Sequence, residues 1–236
     1  MSKNSLVIAN WKCNKTIKEA LDWLHQVGPK LSDYENVQVV LCPSFVALFP
    51  IKQEVERAGY RLKLGAQNVA VVEAGAHTGE VSAEMVTPLV DYVIVGHSER
   101  RKYYGETNGD VVKKTDLLLN AGITPLLCVS DLAQLDFYIK EGLVILQHAQ
   151  DIVFVYEPAR AISGGGAYHP EVPADANNQA GQIKTKISQK ARVIYGGSIN
   201  PDNIAAFFSQ EHITGGLIGQ ASLDPVTFLR LLNAIR

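Results

Sequence analysis

Phe154-Val155-Tyr156-Glu157-Pro158-Ala159-Arg160-Ala161-Ile162-Ser163-Gly164-Gly165-Gly166 carries the pattern on which the fold turns. Three hydrophobic β-formers lead to one carboxylate, a proline follows at once, and glycines close the run. A buried strand that ends on Glu157 and hands over to a loop reads this way. Pro158 stiffens the backbone beside the carboxylate, and the glycines loosen the tip of the loop. A rigid base next to a flexible lid suits chemistry that must be sealed from water.

Three other segments repeat the design. Leu6-Val7-Ile8-Ala9 runs into Asn10-Trp11-Lys12, Tyr92-Val93-Ile94-Val95 into Gly96-His97-Ser98-Glu99-Arg100, and Val193-Ile194-Tyr195 into Gly196-Gly197-Ser198. Short continuous apolar runs fit parallel strands buried on both faces better than half-exposed antiparallel ones. Polar groups gathered at the C-terminal ends of parallel strands are how barrel enzymes build active sites.

Eight such runs are expected, near 5–11, 37–42, 61–66, 91–95, 123–128, 152–156, 192–195 and 215–218. Helix signals alternate with them. Thr16-x-x-Glu19 is a capping box and Ser82 an N-cap; Asp110–Asn120 has helical apolar spacing and stops at Gly122. Asn200-Pro201 and Asp224-Pro225 each pair a capping residue with a proline at the first helical position. Segment 129–151 hints at one short helix through Leu132, Leu135 and Ile139, and is then ambiguous between helix and strand. The regular alternation over 236 residues, with no linker, predicts an α/β fold of one domain over 1–236: a single closed (β/α)8 barrel with parallel strands.

Composition narrows the function. A net charge of −2 offers no footprint for nucleic acid or an anionic membrane, so any phosphate must be held by local groups. Cys13, Cys42 and Cys128 are odd in number and form no C-x-x-C pair, which argues against a disulfide framework or zinc site and points to a reducing cytoplasm. No apolar run approaches the roughly 20 residues needed to span a bilayer, and the first residues lack the apolar core of a secretion signal.

The candidate chemistry follows from residue type. A desolvated Glu157 can take a proton from a carbon next to a carbonyl. His97 precedes a turn that can start a helix, whose N-terminus disfavours a cation and so keeps the imidazole neutral. Lys12 is a candidate cation facing an anionic intermediate or phosphate, with Asn10 on the same side of the chain. The turns Gly196-Gly197-Ser198 and Gly219-Gln220-Ala221 follow the last two strands, where barrels frequently cradle phosphate on backbone N–H groups.

Seven segments stand together in one order: Asn10-Trp11-Lys12-x-Asn14, Gly65-Ala66-Gln67-Asn68-Val69, Thr78-Gly79-Glu80-Val81-Ser82, Gly96-His97-Ser98-Glu99-Arg100-Arg101, Tyr156-Glu157-Pro158, Tyr195-Gly196-Gly197-Ser198 and Gly219-x-Ala221-Ser222-Leu223. In them the chain resembles the triosephosphate isomerase family over essentially its whole length. The resemblance implies a TIM barrel that interconverts dihydroxyacetone phosphate and D-glyceraldehyde 3-phosphate, in glycolysis and gluconeogenesis, through an enediolate and without a cofactor or metal. It assigns Glu157 as the base, His97 as the neutral imidazole that polarises the carbonyl, and Lys12 as the stabilising cation beside Asn10. It puts Glu99 next to Lys12 and includes Ser98 among the supporting residues. It assigns phosphate contacts to Ser163, Ser198, Gly219 and Gln220, and an apolar cover over the carboxylate to Ile162 and Leu217. It further implies a homodimer in which the loop 67–80 inserts into a partner subunit and brings Thr78 near that subunit's active site.

The chain departs from the family in four places. Arg160 stands where the family has a lid tryptophan, and Ser163-Gly164-Gly165-Gly166 replaces its usual tip. Gln220 replaces a glycine, and Cys128-Val129-Ser130-Asp131 opens a shortened segment. An Arg160–Asp131 ion pair and a looser lid are the expectations these changes raise. No departure removes a proton-transfer residue. A Schiff-base aldolase would want a lysine where Glu157 stands, and a nicotinamide enzyme a Gly-x-Gly-x-x-Gly turn after the first strand. An idle barrel kept as a scaffold would be signalled by loss of Lys12, His97 or Glu157, and all three are present.

Overall fold

The structure is a computed structural model and describes residues 4–158, 161 and 169–236. Eight parallel strands close into a barrel in sequence order. They are β1 (Ser5–Asn10), β2 (Val37–Cys42), β3 (Lys63–Ala66), β4 (Tyr92–Val95), β5 (Thr124–Val129), β6 (Val153–Tyr156), β7 (Arg192–Tyr195) and β8 (Gly215–Ile218). Closure pairs β1 with β8, from Leu6↔Gly215 to Ala9↔Ile218. Gly215 makes it possible: a Cβ there would lie 2.1 Å from the Leu6 carbonyl oxygen. The expected strands are all present, with ends displaced by one or two residues.

Residue parity along each strand sorts the apolar side chains into two layers. Leu6, Ile8, Val40, Cys42, Ile94, Leu126, Cys128, Val153, Val155, Ile194 and Leu217 pack together inside the barrel. Their alternates, among them Val7, Ala9, Val93, Val95, Phe154, Val193 and Tyr195, pack outward against the helices. Burial on both faces is why the strands read as unbroken apolar runs. The inward parity continues past the strand ends: Ile8 is followed by Asn10, Val155 by Glu157, Ile194 by Gly196 and Leu217 by Gly219. Polar groups from separate strands thereby meet at one mouth.

The helices are α1 (Ile17–Val27), α2 (Phe45–Ala58), α3 (Ala83–Val86), α4 (Ser98–Tyr104), α5 (Asn108–Asn120), α6 (Leu132–Glu141), α7 (Leu143–Gln147), α8 (Pro173–Lys186), α9 (Ile204–Phe208) and α10 (Pro225–Asn233). Thr16 and Glu19 form the expected capping box of α1, worth about 1 kcal/mol. Ser82 caps α3 through the Met85 N–H, and Asp224 caps α10 ahead of Pro225. The helix placed at Asp110 starts earlier: Thr107 is its N-cap and Asp110 the third residue of a second capping box.

Asn200-Pro201 does not open a helix. The Asn200 side chain accepts from the N–H groups of Asp202 and Asn203, and Asn203 Oδ1 accepts from the Asn200 N–H. This local turn uses up the capping groups, and α9 begins one turn later. The ambiguous segment 129–151 is two helices. Asp131 caps α6 by accepting from the Gln134 N–H. Arg160, its expected partner, and Gly164-Gly165-Gly166 lie outside the described residues. Among those described, no helix is long and apolar enough to cross a membrane.

Candidate active site

At the C-terminal mouth of the barrel a cavity of about 580 Å³ is lined by Asn10, Lys12, His97, Glu157, Ser198, Leu217, Gly219 and Gln220, together with Ala161, Asn200 and Thr227. These eight of the site residues expected from sequence thus converge on one space from β1, β4, β6, β7 and β8, while Ser98 and Glu99 stand behind it, against Glu157 and Lys12. Ser163 and Ile162 lie outside the described residues.

Glu157 follows β6, and its N–H donates to the Val129 carbonyl on the neighbouring strand. Its side chain is 1% exposed. Oε1 lies 2.8 Å from His97 Nε2, and Oε2 accepts from the Ser98 N–H at 3.0 Å. Cys128 lies beneath, its thiol pushed up by burial and then by the Glu157 carboxylate, so it stays protonated. A buried carboxylate with one imidazole and one N–H against it, and no lysine or arginine partner among the described residues, is poised to exchange partners.

His97 caps α4, its Nδ1 accepting from the Glu99 N–H at 3.2 Å. An acceptor at Nδ1 puts the proton of a neutral ring on Nε2, facing Glu157. Burial works against a charged imidazole. The Glu157 carboxylate outweighs it, with Glu99 in the same sense and Lys12 opposed, so in this arrangement the ring's pKa lies above the usual histidine value.

Lys12 has a left-handed backbone, with φ of 53°. For a residue other than glycine that costs on the order of 1–3 kcal/mol and persists only where the surroundings impose it. Here both its peptide groups are clamped. Asn10 Oδ1 accepts from the Lys12 N–H, and Gln67 Nε2 donates to the Lys12 carbonyl and to that of Cys42. The constraint directs the ammonium to Glu99 Oε1 at 2.6 Å, where each side chain is 28% exposed. It also carries the lysine past Gly219, where a Cβ would sit 3.5 Å from Lys12 Cε.

Ser198 donates to the Ala161 carbonyl from both N–H and Oγ, at 2.9 and 2.8 Å, tying the turn after β7 to the start of the loop after Glu157. Gln220 starts the 3₁₀ turn Gln220–Ser222 beside Gly219. Both turns line the cavity, and backbone N–H groups at turns of this kind suit an anion.

Residues 5–235 match a family model described as Triosephosphate isomerase. The chain belongs to the triosephosphate isomerase family. Among its relatives, the triosephosphate isomerase of Picosynechococcus sp. is 39% identical over 98% of each chain. That of Solibacter usitatus is 36% identical over 98% of this chain and 99% of the relative. The triosephosphate isomerase of Endomicrobium trichonymphae is 35% identical over 98% of each.

Sequence reading gave no role to two groups that hold this family member's site in shape. Gln67 is one. Glu106 is the other: it accepts from the Gly96 N–H at 2.8 Å, from Arg100 Nε at 2.5 Å and from Lys114 Nζ at 2.7 Å, and so fixes the backbone next to His97. Lys114 also donates to Asn68. A polar side chain eleven residues beyond a strand end carries no periodic signal; only the turn back of α4 brings it under Gly96.

Proposed function

We propose that this chain, acting as one catalytic domain, interconverts dihydroxyacetone phosphate and D-glyceraldehyde 3-phosphate in glycolysis, with Glu157 as base, His97 as proton donor and Lys12 as the stabilising cation. The observation that carries the reading is the 2.8 Å contact between Glu157 and His97 at the floor of a cavity rimmed by Lys12 and two glycine turns. A substrate carbonyl oxygen accepts the hydrogen bond that Nε2–H now gives to Glu157. The freed carboxylate then takes the proton from the adjacent carbon, giving the enediolate. When Glu157 leaves His97, the main upward pull on the imidazole pKa leaves with it, so the ring acts in its neutral form. Lys12 offsets the negative charge on the enediolate, and Gly219, Gln220 and Ser163 hold the phosphate, joined by Ser198 once it releases the Ala161 carbonyl. Leu217 and Ile162 keep water from the carboxylate.

The proposed assembly is a homodimer in the cytoplasm. Val71 and Val72 are half-buried, residues 73–80 are exposed, and Phe45, Val46 and Met85 are exposed at this end of the barrel. Apolar surface of this kind favours a partner, and a second copy offers Thr78 to the neighbour's Asn10 and Glu99. Cys13, Cys42 and Cys128 are free thiols, as a reducing compartment requires.

A coupled assay of glyceraldehyde 3-phosphate isomerisation by the purified chain tests the reaction, and absent turnover overturns it. Light scattering at micromolar concentration tests the assembly. A monomeric mass with full activity would remove the need for Thr78.

A further inference from the structure

We infer that the opposite, N-terminal mouth of the barrel holds a second ligand site, in which Arg192 and Tyr92 bind the carboxylate of a small monocarboxylate. The inward parity that brings Glu157 and Asn10 to the catalytic mouth runs the other way here. Arg192 shares the face of Ile194, and Tyr92 that of Ile94, so both stand in the lowest layer of the barrel interior. That layer is apolar in most barrels. In this one it contains a guanidinium, and among the described residues no hydrogen bond or ion pair involves that guanidinium. Burial lowers its pKa below the usual arginine value, with Tyr92 acting in the opposite sense, yet the group stays charged at neutral pH. A half-buried charge without an acceptor is a cost that an anion relieves.

A cavity of about 530 Å³ opens beside it, lined by Tyr92, Thr124, His148, Asp151, Ile152 and Arg192 among others. Tyr92 Oη accepts from Gln38 Nε2 at 2.9 Å, which leaves its own proton to donate. A planar guanidinium fork beside a phenol O–H matches a carboxylate. The surroundings select against higher charge. Asp151 stands at the rim, where His148 pairs with it at 3.2 Å, and α5 ends at this mouth with its carbonyl pole.

Sodium butyrate is the probe, titrated into the full chain at constant ionic strength with amide NMR as readout. Saturable shifts are expected at Thr124, Val153 and Arg192, with Glu157 and Gly219 unmoved. Arg192→Gln should weaken binding by about tenfold or more, and Arg192→Lys by less, since it keeps the charge and loses the fork. Butyrate should leave KM for the triose phosphate unchanged. Equal affinity in wild type and Arg192→Gln overturns the site. So does a wild-type chain with no saturable shift at this mouth up to about 100 mM, a limit corresponding to negligible affinity. If Arg192→Gln does not fold, the wild-type map decides: shifts confined to the catalytic mouth overturn the proposal.

Discussion

Glu157 and Glu106 are glutamates whose side chains keep only 1% and 2% of their surface exposed, and they meet different company. Glu106 faces two cations and the Gly96 N–H, all within 2.8 Å. Burial would raise its pKa, but Lys114 and then Arg100 overcome that, and the carboxyl lies below its usual value. Lys114 is itself lowered, because burial of the ammonium exceeds the help from Glu106. For stability in acid the Glu106 direction governs, since two cations bear on that one carboxylate. Glu157 faces one imidazole and one N–H, and opens on a cavity. Equal burial therefore says nothing of role. A carboxylate saturated by cations is structural, and one held by exchangeable donors is free to do chemistry.

The largest expected effect tests the exchangeable side. Glu157→Gln keeps size and removes basicity, so turnover should fall by about 10²–10⁴-fold or more while the urea midpoint stays near wild type. A variant that unfolds as readily as one lacking Glu106 would make Glu157 structural and end the contrast.

Glu106→Ala tests the saturated side. It leaves Lys114 buried without its carboxylate, and the expected loss is about 3–5 kcal/mol of unfolding free energy, read by urea titration. The folded fraction should still turn over far faster than Glu157→Gln, with only the smaller loss expected from freeing the Gly96 N–H beside His97. The pH dependence has a definite sign. A carboxyl lowered on folding stabilises fully above its unfolded pKa of about 4.3, and that stability is lost as pH falls through the folded value. Wild type should therefore lose stability below about pH 4 more steeply than Glu106→Ala. Parallel acid limbs would show that another carboxylate governs.

Lys12→Met should lower kcat/KM by about 10²–10³-fold, because the cation proposed to face developing charge is gone. Its unfolding free energy should change little, since the Lys12–Glu99 pair is partly exposed and such pairs contribute about 0–1 kcal/mol. Smallest of the four is Gln67→Ala. Loss of its two hydrogen bonds frees the carbonyl of Lys12, and kcat/KM should drop about tenfold through relaxation of the left-handed backbone. A crystal structure of Gln67→Ala with Lys12 still at positive φ and normal turnover would assign the strain to Asn10 alone.

The periodic part of this protein was legible in its residues. Eight apolar runs on a repeat, four of them ending directly in the polar groups of one design, specify parallel strands buried on both faces. Parity then sends Asn10 and Glu157 into the same mouth, and motif order carried the family. The capping box at Thr16 and the N-cap at Asp224 were readable because they are local hydrogen-bond devices. Asn200 used the same chemistry to close a turn, and neighbouring residues in space, not in sequence, chose between the two. Segment 129–151 was ambiguous because a five-residue apolar helix such as α7 has the length and composition of a strand.

What only the tertiary structure decided is the partnership of each buried charge. The sequence determined that Glu157, Glu106, Lys114 and Arg192 exist and on which elements they ride. Closure of the barrel decided that Glu106 meets Lys114 and Arg100, that Glu157 meets His97, and that Arg192 meets no carboxylate among the described residues. The physical reason is range. Propensity and burial periodicity act over a few residues, whereas a Coulomb or hydrogen-bond partner is fixed by a distance of a few ångströms between residues up to 60 positions apart.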